Sequence, residues 1–216
     1  MESEVKLVGG AVMTLALATA AMIVVPFLQL KDEPPPPGLA PYSEQELRGR
    51  DVYIANGCIA CHTQQPSTIG AGRADARRGW GRPSVAADYF YDTPILLGTM
   101  RTGPDLFNVG DRIPSEDWHH VHLYQPRAYV PDSTMPAYPF LYESIVSVEV
   151  APGQYTVPMP EAYAKPGHAI VPTREAEDLV AYLKAMKRQY DAPAPLDAAT
   201  AKALASKLRE ESRQED

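Results

Sequence analysis

Cysteine is nearly absent: the 216 residues hold two, at positions 58 and 61. A scaffold stapled by several disulfides is therefore excluded, and so is a closed four-ligand zinc site built on two cysteine pairs. Positive charge is in the minority, with 20 Lys and Arg against 27 Asp and Glu and a net charge of −7. That balance argues against a nucleic-acid partner, which favours a basic surface. Glycine, at 14, is too sparse for a collagen-like chain, and no internal repeat is visible. Wholesale disorder is also excluded, because 45% hydrophobic and 22% charged residues are ordinary for a globular chain. Proline is the excess: 22 of them, about twice the usual ~5%. The chain is expected to hold long, rigid, irregular stretches between a few helices.

One long uncharged run is present, Leu7 to Leu28. As a helix it would measure roughly 33 Å at ~1.5 Å per residue, enough to cross a bilayer core of about 30 Å. Ala16-Leu17-Ala18 fits a small-x-small cleavage pattern. The start, Met-Glu-Ser-Glu-Val-Lys, lacks the positive region of a signal peptide, so an uncleaved anchor is expected. Its Ala, Gly and Thr content suits close contact with other membrane helices. Lys6 and Lys31 flank it equally, so loop charge does not orient it. The domains expected are a membrane anchor over 1–30, a proline-rich linker over 31–41, a main domain over 42–190 and a C-terminal extension over 191–216. In the linker, Pro34 to Pro37 favour a stiff polyproline spacer.

Ser43 and Glu46 form a capping box, and Tyr42 and Leu47 sit at the staple positions. A helix is predicted from Glu44 to Asn56, stopped by Gly57. A second is predicted from Arg174 to Arg188, capped by Thr173, with Ala176, Leu179, Val180 and Leu183 on one face. Between about Thr63 and Pro172 no periodicity persists, and loops with short helices are expected. Ala198 to about Glu211 reads as a last amphipathic helix. The fold class expected is all-α.

Cys58-Ile59-Ala60-Cys61-His62 is C-x-x-C-H, the attachment signature of c-type haem. Two thioethers must reach two vinyl groups on one porphyrin edge, and the next residue is then the proximal ligand to the iron. A redox dithiol would want a βαβ setting, which the pattern lacks. The motif follows one capped helix and the second helix lies near the other end, the arrangement of a small haem-c domain. A Met as sixth ligand suits electron transfer. The candidates are Met100, Met135, Met159 and Met186. Met135, rigidly flanked in Ser133-Thr134-Met135-Pro136-Ala137, is preferred; Met159, in Val157-Pro158-Met159-Pro160, has similar flanks. Met186 reads as packing, and Met100 lies too close to the following turn.

His119, His120 and His122 are alternative ligands, or residues for capping, packing or propionate contact. His168 reads as a surface loop residue. In Gly103-Pro104-Asp105-Leu106 the Pro104 carbonyl is the expected acceptor for the second N–H of a ligating His62. Arg101, Arg112 and Arg127 are candidate partners for haem propionates, joined by Trp118 and Tyr124. Arg73, Arg77, Arg78 and Arg82 form a basic stretch that reads either as a docking patch or as a solvated loop.

These residues, in this order, resemble the mono-haem cytochrome c subunit (subunit II) of cbb3-type cytochrome c oxidases. The resemblance is carried by the N-terminal membrane helix and by Gly49-Arg50-Asp51-Val52-Tyr53-Ile54 before the haem motif. It continues in Tyr91-Asp92-x-Pro94, Arg101 to Leu106, Val109-Gly110-x-Arg112, Asp117-Trp118-His119, His122 to Arg127 and Met135 to Pro139. It spans roughly residues 7–142. Residues Glu143 to Gly167 and those after Tyr190 fall outside it, and Thr63-Gln64-Gln65-Pro66 departs from its usual pattern. The resemblance implies one covalent haem c on Cys58 and Cys61, with His62 and Met135 on the iron. It implies a cytochrome c-like domain on the outer, periplasmic face of the inner membrane. The domain would pass single electrons to a large polytopic haem-copper subunit, and a second cytochrome c subunit or a soluble cytochrome would be the donor. No catalytic centre belongs to the chain itself. Three other readings stay open on the residues: a haem-c subunit of a nitric oxide reductase or other divergent haem-copper oxidase, a free-standing membrane-tethered electron shuttle, and a metal or dithiol module.

Overall fold

The computed structural model describes residues 2–31, 34–65, 82, 84–98 and 101–188. The extension after 190, Met100 and Arg73, Arg77 and Arg78 lie outside the described residues. The chain divides into two units, Met1–Pro35 and Pro36–Asp216.

The first unit is one helical rod. Helix α1 (Glu2–Thr19) runs into a π turn over Ala20–Val24 and then into α2 (Val25–Leu30). Pro26 accounts for the wide turn, because its ring clashes with a carbonyl one turn back and it has no N–H to donate. Ser3–Gln29 is long and apolar enough to cross a membrane, and none of its most apolar window is buried. Leu7, Val12, Leu15 and Ile23 all stand exposed.

The second unit is built on α3 (Glu44–Ala55) and α6 (Arg174–Ala185), with α4 (Val109–Arg112) and α5 (Glu116–Tyr124) beside them. Each long helix starts where its cap lies. Glu46 N–H donates to Ser43 Oγ at 3.4 Å, and Glu46 Oε2 accepts from Ser43 N–H at 2.6 Å. Gly57 ends α3 with a left-handed φ of 69°, which glycine adopts without a Cβ penalty. Thr173 Oγ1 caps α6 by accepting from Ala176 N–H at 3.4 Å. The helices end slightly earlier than the pattern predicts, at Ala55 and Ala185. The predicted face of Ala176, Leu179, Val180 and Leu183 is buried, against Tyr53, Val109 and Val121.

The all-α expectation is corrected at one place. Tyr142–Val146 (β1) and His168–Pro172 (β2) pair antiparallel, with Tyr142 opposite Pro172 and Val146 opposite His168. Tyr142 of β1 and Ile170, Val171 and Pro172 of β2 are buried, while Ser144 and Val146 are exposed. His168, read as a loop residue, therefore opens a strand.

Polar contacts hold the irregular middle. Arg50 donates to Asp92 Oδ1 at 3.1 Å and to the Pro94 carbonyl. Gln64 joins them, donating to Asp92 and to Tyr182 Oη at 3.2 Å each, while its Oε1 accepts from Leu96 N–H at 2.8 Å. Tyr42 donates to Asp92 Oδ2 and accepts from Arg188. Because each buried group has a partner, this network fixes the segments on either side of His62 rather than weakening the core.

Candidate functional site

Cys58, Cys61 and His62 occupy a single turn. Cys61 and His62 N–H both donate to the Cys58 carbonyl, at 3.2 and 2.9 Å. The turn is anchored from α3, where Tyr53 Oη donates to the His62 carbonyl at 2.6 Å. His62 Nδ1 lies 2.8 Å from the Pro104 carbonyl. A carbonyl can only accept, so Nδ1 carries the proton and Nε2 holds the lone pair. The ring packs flat against Gly103, where a Cβ would fall 2.6 Å from both ring nitrogens.

Cys58 and His62 open onto a cavity of about 530 Å³, within the range of small-molecule and cofactor sites. Its walls are mainly apolar: Tyr53, Val109, Leu123, Leu179 and Leu183 come from α3, α4, α5 and α6, and Leu106 and Ile113 from the segments on either side of α4. Cys58, His62 and Met135 line it together. Met135 reaches it on a turn after α5, held by its own N–H to Ser133 Oγ at 3.2 Å and by Tyr138 N–H to the Leu123 carbonyl at 2.9 Å. Met159 packs against the core without lining the cavity, and Met186 is buried beside α6. A larger hollow of about 730 Å³, between the linker, α3 and α6, contains no cysteine, His62 or methionine. The chemistry therefore belongs to the smaller one.

The chemistry of the cavity fits a haem. It is apolar, as a porphyrin face requires. Its lining holds the Cys58 thiol, the His62 imidazole and the Met135 thioether, while Cys61, half-buried on the same turn, lies outside the lining. Burial pushes the Cys58 thiol up to about 11, so it stays protonated near neutral pH. A reactive redox dithiol needs the opposite shift.

The proposed propionate wall divides. Arg112 and Trp118 line the cavity. Arg101 does not: it pairs with Asp105 at 2.9 Å and donates to the Gln65 carbonyl. That contact braces the loop carrying Pro104, because Asp105 also takes Ser84 Oγ, Tyr89 Oη and Phe107 N–H. Tyr124 is turned onto Tyr142, edge to face with centroids 5.4 Å apart. Arg127 is exposed, and its carbonyl accepts from Tyr163. Arg82, the described member of the basic stretch, is paired with Asp88 at 2.7 Å and lies over Phe107. It therefore serves the fold rather than an open docking patch.

The three histidines of α5 also separate. His119 Nε2 donates to the Ile113 carbonyl at 2.9 Å, and His120 Nδ1 meets Tyr142 Oη at 3.2 Å. His122 stacks on Trp118, 4.5 Å between centroids, and lines the cavity. Sequence reasoning did not single out Gly103, Tyr53 or Asp105. The spacing of Asp105 four residues after Arg101 is the signal that could have found that pair.

Burial, the largest cause, lowers His119 to about 4. The folded state therefore holds it neutral, while the unfolded chain protonates near 6.5. Stability is full above pH 6.5 and falls as pH drops toward 4, by up to ~1.4 kcal/mol per pH unit. Asp178, held below its usual range by hydrogen bonds from Arg48, gives way only at lower pH. Denaturant unfolding at pH 7.5, 6 and 5 measures this. His119→Gln keeps an N–H for Ile113 but cannot titrate, so its curve is expected to be flatter over that window. An equally steep curve would assign the loss elsewhere.

The family model described as cytochrome c oxidase, mono-heme subunit/FixO, matches residues 2–159 of the chain. No curated protein matches it.

Proposed function

The chain belongs to this family of mono-haem cytochrome c oxidase subunits, and on that premise we propose that it is the membrane-anchored electron-transfer subunit of a cbb3-type oxidase. The family implies one haem and association with a haem-copper oxidase complex. The finer reading is a cytochrome c-like domain carrying haem c covalently on Cys58 and Cys61, with His62 and Met135 as iron ligands. The observation that carries it is the convergence of Cys58, His62 and Met135 on one apolar cavity, with His62 Nδ1 committed to the Pro104 carbonyl.

When bound, the haem supplies a one-electron iron couple. The residues do the rest. Cys58 and Cys61 tether the macrocycle edge. The Pro104 carbonyl orients His62 and raises its basicity. Met135 in place of a second histidine favours a high potential. The apolar walls exclude water and so limit reorganisation on electron transfer. The anchor over 1–30 and the linker over 31–41 hold the 42–190 domain at the membrane. Covalent haem c is attached outside the cytoplasm, so the domain faces the periplasm from the inner membrane. The partners are the large polytopic catalytic subunit as acceptor, and another cytochrome c subunit or a soluble cytochrome as donor.

Two experiments test this. Extraction in mild detergent, with reduced-minus-oxidised spectra, is expected to give a c-type band together with b-type bands and a large polytopic subunit that consumes oxygen. A c-type band on a lone chain would support a tethered shuttle instead, and nitric oxide consumption would support a reductase. Second, Met135→Leu is expected to abolish the near-infrared sulfur-to-iron band. It should also lower the reduced-to-oxidised ratio at fixed potential more than tenfold, about 59 mV per tenfold step. Met159→Leu should leave both unchanged. The reverse pattern would reassign the ligand.

A further inference from the structure

The segment Arg101-Thr102-Gly103-Pro104-Asp105 is a loop closed at its base by an ion pair, Arg101 to Asp105 Oδ2 at 2.9 Å. Its apex touches the Cys58–His62 turn twice. Gly103 N–H donates to the Cys61 carbonyl at 3.0 Å, and the Pro104 carbonyl lies 2.8 Å from His62 Nδ1. Arg101 extends a second arm to the Gln65 carbonyl, so one guanidinium ties the base of the loop to the chain leaving His62. Asp105 has more partners than the ion pair alone supplies. Its Oδ2 also accepts from Ser84 Oγ, and its Oδ1 accepts from Tyr89 Oη at 3.2 Å and from Phe107 N–H at 3.1 Å. Ser84, Tyr89 and Asp105 are buried, and the Arg101 side chain is 8% exposed.

A buried ion pair is weak evidence for stability, because desolvation offsets the attraction. What a fully hydrogen-bonded buried carboxylate does supply is a fixed position. The position fixed here is that of the residue directly after Pro104. We propose that Asp105 is a positioning residue for the iron ligand: through Arg101 and the donors at 84–89 it holds the Pro104 carbonyl on His62 Nδ1, and so sets the basicity of the imidazole and the reduction potential. The proposal rests on the reading of His62 as the proximal ligand of a haem. Donating Nδ1–H makes the imidazole a stronger base, and a stronger base favours ferric iron. Loosening the carbonyl should therefore raise the reduced-to-oxidised ratio at fixed potential. Loss of a negative charge would raise it too, so variants with and without a charge change are compared.

Asp105→Asn keeps the shape and removes the charge. Ser84→Ala combined with Tyr89→Phe keeps the charge and releases the carboxylate from the 84–89 segment. Each is made in the full, haem-loaded chain labelled with ¹⁵N-histidine. In both, the c-type spectrum and the sulfur-to-iron band are expected to persist, since Met135 is held by other contacts. The ratio should rise about threefold to tenfold in Asp105→Asn, tenfold being 59 mV, and about twofold in the double variant. In the reduced, diamagnetic protein the His62 Nδ1–H should exchange with solvent about tenfold faster than in wild type. Either readout unmoved, a ratio that falls, or a lost sulfur band overturns the proposal. A raised ratio over an unmoved Nδ1–H would assign the change to charge alone. Two unmoved readouts, at whatever stability, would leave Asp105 serving the fold. If Asp105→Asn does not fold, the double variant decides by the same two readouts. Absence of any c-type spectrum in the wild type would remove the haem reading itself, and the proposal with it.

Discussion

Gly49→Ala is expected to destabilise the second unit by about 3 kcal/mol or more. Gly49 is buried on α3 where α6 crosses it. A Cβ there would overlap the Asp178 carbonyl and sit 2.8 Å from Tyr182 Cβ. Two effects oppose each other. Alanine improves helix propensity by ~0.5–1 kcal/mol. Overpacking a close-packed site costs typically 1–3 kcal/mol and sometimes more. The clash wins because its partner is helical backbone: the Asp178 carbonyl cannot swing away without α6 moving as a body. Moving α6 would open the packing of Tyr53, Leu179 and Tyr182 and strain the Arg48–Asp178 contact at 2.8 Å. Against a total stability of 5–15 kcal/mol, that is a large fraction. Asp51→Ala, exposed on the same helix, should stay within about 0.5 kcal/mol of wild type. Denaturant titration of both compares them directly, and equal stability would mean that the helices do not cross at Gly49. Gly110→Ala should behave similarly, because its Cβ would meet the Lys184 backbone, with Cα at 2.8 Å.

The parts of this architecture that were legible in the sequence are those specified locally. The Ser43–Glu46 box, the Thr173 cap and the Gly57 stop are short patterns whose geometry follows from a few adjacent residues. The Cys58–His62 turn is another. The buried face of α6 was legible because its apolar period is undisturbed over three turns. What failed depends on distant segments. β1 and β2 lie on either side of a long excursion, so no turn residues announce their pairing. Helix α5 has a cap, Ser115 to Trp118 N–H at 3.2 Å, but its nine residues include three histidines and show no clear stripe. Met135 and Met159 have nearly the same proline flanks, and only the tertiary course brings the first to the cavity. Arg101, Tyr124 and Arg127 looked equivalent to Arg112 and Trp118 as neighbours of a propionate. Local competition took them away: an acidic residue one turn on for Arg101, an aromatic neighbour for Tyr124, solvent for Arg127. Which glycines must be glycine was also illegible, since a close approach is a property of two segments.

Gly103→Ala presents the same depth of clash as Gly49→Ala and should have the opposite consequence. Here the Cβ would meet the His62 ring, 2.6 Å from Nδ1 and Nε2. A side chain can swing away where a helical carbonyl cannot. The backbone around it is held independently, by Gly103 N–H to the Cys61 carbonyl at 3.0 Å and by Tyr53 Oη to the His62 carbonyl at 2.6 Å. The fold should therefore keep its stability to within about 1 kcal/mol. The swing must break the 2.8 Å bond from Nδ1 to Pro104 and carry Nε2 off its position in the cavity. Misplacing a metal ligand in this way costs far more in function than in folding energy. On the proposed reading, the haem should remain attached by mass, since Cys58 and Cys61 are untouched, while the low-spin spectrum of a six-coordinate iron is lost. Unfolding curves, intact mass and absorption spectra on the same preparation separate the outcomes. An intact low-spin spectrum would mean that His62 is not the ligand. A collapse of stability together with the spectrum would mean that the Gly103 contact serves the fold. A preserved fold with a lost low-spin spectrum would tie the close approach of Gly103 to the placement of the His62 ring.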